Sequence, residues 1–175
     1  MDTSPETPHE RAPSPAPLQS SRFAGRQAFQ QLVRDAFTTA AAQGWPNIIL
    51  SDATFEDWPL GERSVAESLQ AWSKSGRQMV ILASRYDEVM RRHARFVSWR
   101  TTWGHIINSR VCRAVAPADF PSAIWSPDWA LHRIEPLRSV GICGNDRERR
   151  VLLKESLDEM IRNSSPGFAS TTLGL

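Results

Sequence analysis

The chain has 175 residues, 41% of them hydrophobic and 23% charged, with a net charge of +2 at pH 7. That length holds one ordinary domain, and a folded part of about 150 residues buries roughly 70% of the surface its unfolded chain exposes, enough for a core without metal or disulfide staples. The near-neutral charge gives no whole-molecule attraction to nucleic acid or anionic membrane, and no apolar run approaches the roughly 18 residues of a membrane span.

The start, Met1-Asp2-Thr3-Ser4-Pro5, shows no basic segment followed by an apolar one, so no secretory signal is visible and a cytoplasmic location is expected. Cys112 and Cys143, each alone in sequence, are then expected to be reduced core thiols rather than a bridge. Of the basic residues, only Lys74 and Lys154 are lysine and the rest are arginine, as GC-rich coding produces together with abundant alanine.

Residues 1–21 carry five of the twelve prolines and almost nothing large and apolar. Such a segment buries too little surface to offset the entropy of ordering, and is expected to be a disordered tail before a single domain over 22–175. Phe29, Val33, Ala36, Phe37 and Ala40 recur at helical spacing, predicting a first helix over 22–43 that stops at Gly44. Asn47–Leu50 reads as a buried strand. A loop, Ala53–Leu60, leads into a second helix reaching about Ser75, with Val65, Leu69 and Trp72 inward and Pro59 suited to its first turn.

Gln78–Ala83 reads as a second buried strand, and Tyr86 to about Trp103 as a helix with room for a break in the middle. Ile106–Val115 predicts a third strand. After a proline-containing loop, 122–125 and 129–134 predict a hairpin, and about 139–143 a further strand. A closing helix spans about 146–163, with Leu153, Leu157, Met160 and Ile161 on its buried stripe. Early alternation of strands and helices argues parallel strands, and the later run argues antiparallel ones. The expected fold class is α/β, a mixed sheet flanked by helices on both faces.

In such sheets ligands gather beyond the C-terminal ends of parallel strands. Two groups are placed there: Asp52, Glu56 and Asp57 after the first strand, and Ser84, Arg85 and Asp87 after the second. Clustered carboxylates could serve acid–base chemistry or hold a divalent cation; alternatively Asp52 ends a strand, Asp57 caps a helix, and Trp58-Pro59-Leu60-Gly61 plugs the core. The stretch 85–113 holds seven arginines against the acids Asp87 and Glu88. Arg91, Arg92 and Arg95 would line one helix face, and with Arg85 are the anion-binding candidates for phosphate or nucleic acid; a solvated face is the plain alternative.

His93, His105 and His132 lack metal-ligand spacing, so no metal is expected, and no motif calls for a cofactor. Gly141-Ile142-Cys143-Gly144-Asn145-Asp146 passes from strand to helix. It falls short of a dinucleotide or phosphate-loop fingerprint and reads as a turn with an Asn or Asp cap.

The stretch Phe55-Glu56-Asp57-Trp58-Pro59-Leu60-Gly61-Glu62, with Arg91-Arg92-His93, Phe96-Val97-Ser98-Trp99-Arg100 and the ending Thr171-Thr172-Leu173-Gly174-Leu175, resembles a family of uncharacterised bacterial proteins. The resemblance implies one half of a phospholipase-D-like fold, and for some relatives the company of acetyltransferase domains. Active members of that superfamily carry His-x-Lys-x-x-x-x-Asp. Here His132 is followed two places on by Ile134, His105 by Ile107, and His93 by Arg95 with Arg100 in the aspartate position. No histidine fits. The expectation is a non-catalytic domain that binds an anion or a protein partner, in an accessory role to an acetyltransferase. The alternative is a phosphodiesterase or hydrolase with a degenerate site.

Overall fold

The computed structural model describes residues 15–168. The expected tail therefore lies outside the described residues as far as residue 14, and so does the chain end from residue 169.

The first element is not a helix. Ser21–Ala24 form strand β1, and helix α1 (Arg26–Gln43) follows. Gly25 separates them at φ 99°, a backbone conformation that favours glycine, and its N–H donates to the Ser139 carbonyl. Apolar periodicity marked α1 correctly but could not reveal that residues 21–24 had a strand to pair with elsewhere. Gly44, left-handed at φ 69°, closes α1 by donating to the Ala40 carbonyl.

The chain continues through β2 (Asn47–Ser51), α2 (Arg63–Trp72), β3 (Gln78–Ala83), α3 (Asp87–Arg92), α4 (Ala94–Thr102) and β4 (Ile107–Val111). After a 3-10 turn at Pro117–Asp119 come β5 (Ser122–Trp125), β6 (Ala130–Glu135), β7 (Val140–Gly144), α5 (Arg147–Arg162) and the two-residue β8 (Ser165–Pro166). Helix α2 is shorter than expected. Pro59 and Leu60 are buried in the preceding loop instead of opening the helix, and Ser73 Oγ turns back onto the Leu69 carbonyl at its other end. The third strand is likewise shorter, ending at Val111.

One eight-stranded sheet has the order β1-β7-β6-β5-β2-β3-β4-β8. β2, β3 and β4 are parallel, joined by helical crossovers, and the other pairings are antiparallel. The mixed α/β sheet is thus as expected. β2 is the switch strand, with parallel β3 on one side and antiparallel β5 on the other.

Two apolar clusters sit on opposite faces. The larger packs α1, α2, α3 and α4 on one face around Phe29, Phe37, Leu50, Trp58, Trp72 and Phe96. The smaller packs Leu153, Leu157 and Met160 of α5 on the other, against Ile49, Leu82, Phe120 and Ala123. No helix among the described residues is long and apolar enough to cross a membrane.

Candidate functional site

The C-terminal end of β2 is where the polar groups converge, and the residue they converge on is Arg133. Strand alternation puts Arg133 on the same face of β6 as Leu131, above α1. Only 2% of its side chain is exposed, and its guanidinium lies over the Phe29 ring, 4.0 Å from the centroid.

All five guanidinium N–H groups are engaged. Nε donates to Ser122 Oγ at 3.0 Å, Nη1 to Asp57 Oδ2 at 2.5 Å and Ser139 Oγ at 3.3 Å, and Nη2 to Asp52 Oδ1 at 3.1 Å and Asp57 Oδ1 at 3.0 Å. The remaining Asp52 oxygen, Oδ2, accepts from the backbone N–H of Thr54 at 3.1 Å and of Phe55 at 2.7 Å. That turn holds Phe55 at φ 57°, a strained setting for a bulky residue. Phe55, fully buried, then packs edge-on to Trp58, and Trp58 edge-on to Phe29.

Of the three strand-end carboxylates, the structure brings Asp52 and Asp57 together on Arg133 and leaves Glu56 outside, paired with Arg92 at 3.2 Å. Asp57 does not cap a helix; α2 begins after Glu62 with no side-chain cap. Trp58, Pro59 and Leu60 do plug the core. Over the cluster lies a depression of about 480 Å3, with Arg26, Thr54, Glu56, Leu137 and Arg138 around it.

Arg133 is the residue that sequence reasoning missed, and a signal for it existed. It alternates in phase with Leu131 in a strand with one buried face, and a charge on that face must find partners. What sequence could not supply was the partners, 81 and 76 residues away.

The arginine candidates do not form one helical ridge. The helix expected over 86–103 breaks at His93 into α3 and α4, so Arg91 and Arg95 are not neighbours on a single helix. Arg91 and Arg92 both donate to Glu88, with Arg92 Nε at 2.6 Å, and these bonds hold the Glu88 carboxyl below the usual carboxylate range. Arg95 donates to the Gly61 carbonyl at 2.9 Å. Arg100 is buried against Ser109 and the Phe168 ring, and Arg110 binds Ser164. Arg85 and Arg113 remain exposed, and their guanidinium groups have no hydrogen-bond or ion-pair partner among the described residues.

The histidines are likewise scattered. His93 is buried and its Nε2–H donates to the Phe55 carbonyl at 2.7 Å, tying the break between α3 and α4 to the strand-end loop. Burial pushes its pKa down, against the opposing effect of that bond. His132 points to the other face of the sheet, where burial also lowers its pKa. Among the described residues no group of His, Cys, Asp and Glu could hold a metal ion.

Cys112 and Cys143 are buried free thiols, and burial raises the Cys143 pKa. At the β7–α5 junction, Asp146 caps α5 by accepting from the Arg149 N–H at 2.8 Å. Gly141 is there for packing: a Cβ on it would overlap the His132 carbonyl and the Phe23 ring.

No protein-family model matches the chain, and no curated protein matches it. Among solved structures it is similar to TrmBL2, an archaeal chromatin protein whose structure is described as showing a novel mode of DNA binding. The TM-score is 0.62 at 12% identity over 87% of this chain. The likeness at that identity is one of fold, and the chain spans 55% of the length of the protein it matches.

Proposed function

We propose that the chain is a non-catalytic α/β domain of the phospholipase-D-like type that acts by binding an anionic group, free or carried by a protein partner, over the end of β2. The observation that carries this reading is the complete engagement of Arg133. Its five donors and the carboxylates of Asp52 and Asp57 satisfy one another at the position where an enzyme of this architecture would leave groups aimed at substrate. His93 is spent on a backbone carbonyl, and His132 faces away from the strand-end cluster. The nearby cations at the edge of the depression are Arg26 and Arg138, the second held only by a long, exposed ion pair to Glu135 at 3.7 Å. An accessory place beside an acetyltransferase belongs to the same proposal and has the sequence resemblance alone behind it.

A second reading takes the anion to be nucleic acid. The exposed guanidinium groups of Arg85 and Arg113, without partners among the described residues, and a fold neighbour described as binding DNA both favour it.

The test is turnover. The full chain incubated with bis(p-nitrophenyl) phosphate should release no nitrophenol above buffer. Release that disappears in His93→Asn or His132→Asn would instead establish the rival, a phosphodiesterase with a degenerate site. Thermal shift with inorganic phosphate, weakened in Arg26→Gln/Arg138→Gln, checks the binding half of the proposal.

A further inference from the structure

Eight strands span about 38 Å at their usual spacing, whereas a helix covers about 10 Å. Four helices cover one face of this sheet; on the other, the apolar cluster draws helical residues from α5 alone. The strip over β6, β7 and β1 beside α5 is left open. Ile134 of β6 is 62% exposed there and Leu152 of α5 is 58% exposed. Between them runs a cavity of about 360 Å3 lined by His132, Ile134, Ile142, Leu152, Leu153 and Arg149.

The α5 residues beside this groove form one stripe: Arg149, Leu152, Ser156 and Glu159, all exposed and spaced three or four apart. The stripe is basic at its N-terminal end, acidic at its C-terminal end, with a large and a small residue between. Neither Arg149 nor Glu159 has an ion-pair partner among the described residues. An isologous contact requires a patch that complements itself when reversed, and this stripe does.

We propose that a second copy of this chain packs on the open face, with the two α5 helices antiparallel across a two-fold axis at residue 154. In that register Arg149 meets the second copy's Glu159, and Leu152 meets Ser156, whose small side chain leaves room for it. Lys154, at the centre in sequence, is turned aside to Asp158 at 2.6 Å and to the Trp125 ring, so like charges do not collide on the axis. A strip about 24 Å long and about 24 Å wide has a flat area of roughly 580 Å2, at the lower end of stable interfaces, whose standard size is roughly 800 Å2 per partner. The inference stands apart from the strand-end reading, which concerns the opposite face.

Sedimentation equilibrium of the full chain between about 1 and 100 µM decides it. The expected result is a two-chain mass, with the dimer's dissociation constant raised at least about tenfold in Arg149→Glu and in Leu152→Asp. Arg149→Glu/Glu159→Arg, which reverses both ends of the pair, should restore the dimer. A single-chain mass throughout would overturn the proposal. So would a dimer indifferent to Leu152→Asp, or a double reversal that fails to rescue.

Discussion

Trp72 shows how one side chain can hold several elements. Its ring is buried on the inner stripe of α2, and its Nε1–H donates at 2.8 Å to the carbonyl of Trp45, in the turn between α1 and β2. Trp72→Ala removes the ring and leaves that carbonyl with only Arg77 Nη1 at 3.3 Å. A cost of about 3–5 kcal/mol is expected in urea denaturation, and a cost below about 1 kcal/mol would place the ring at the surface. His93 makes a second residue-scale prediction. Burial lowers its pKa in the folded chain, so the unfolded chain takes up a proton first as pH falls. Stability should be complete above about pH 6.5 and be lost as pH drops through the lower folded-state pKa. His132 shifts the same way. The urea midpoint should therefore decline on acidification, and the decline should be shallower in His93→Gln. An equally steep decline in that variant would show that His93 does not couple to folding.

At the scale of elements, the break between α3 and α4 changes what the arginines can do. His93 leaves the helical path at φ −121°, ψ 55° to reach the Phe55 carbonyl, and the chain re-enters a helix at Ala94. Arg91 and Arg92 are then drawn to Glu88. Replacing Arg91, Arg92 and Arg95 together by Gln should move stability by no more than about 1.5 kcal/mol, since exposed substitutions typically shift it by about ±0.5 kcal/mol each. Heparin affinity and its salt slope should change little as well, because two of the three charges are already matched. A large fall in both would show that these arginines hold polyanions. The elements were legible where one period dominates: the Gln78–Ala83 run and the α5 stripe are found in place because burial alone shaped them. β1 and β8 were not, because a short edge strand exists only by virtue of the strand beside it. The helix break could be suspected from sequence, but its cause is a carbonyl 38 residues away.

At the scale of the whole molecule, the parallel unit β2–β4 and the antiparallel unit β5–β7 meet along β2 and β5, and their side chains meet at Arg133. Asp52 and Asp57 belong to the loop after β2, Ser122 opens β5, and Ser139 precedes β7, so one guanidinium on β6 ties together two connections and a neighbouring strand. The strand-end carboxylates were visible in sequence as a cluster, and their use was not. A pair of acids after a strand reads equally as an ion site or a counter-charge until the cation facing them is known. Here that cation is buried, and its engagement is the reason for reading the Asp52 and Asp57 pair as structural. Removing one partner of a buried ion pair costs about 3–5 kcal/mol, because the other charges stay behind unpaired. The most direct measurement is the unfolding free energy of Arg133→Ala against the unchanged chain in urea. A loss of about 3–5 kcal/mol is expected; a loss below about 1 kcal/mol would mean that Asp52 and Asp57 do not need their arginine, and would contradict a structural role for the cluster.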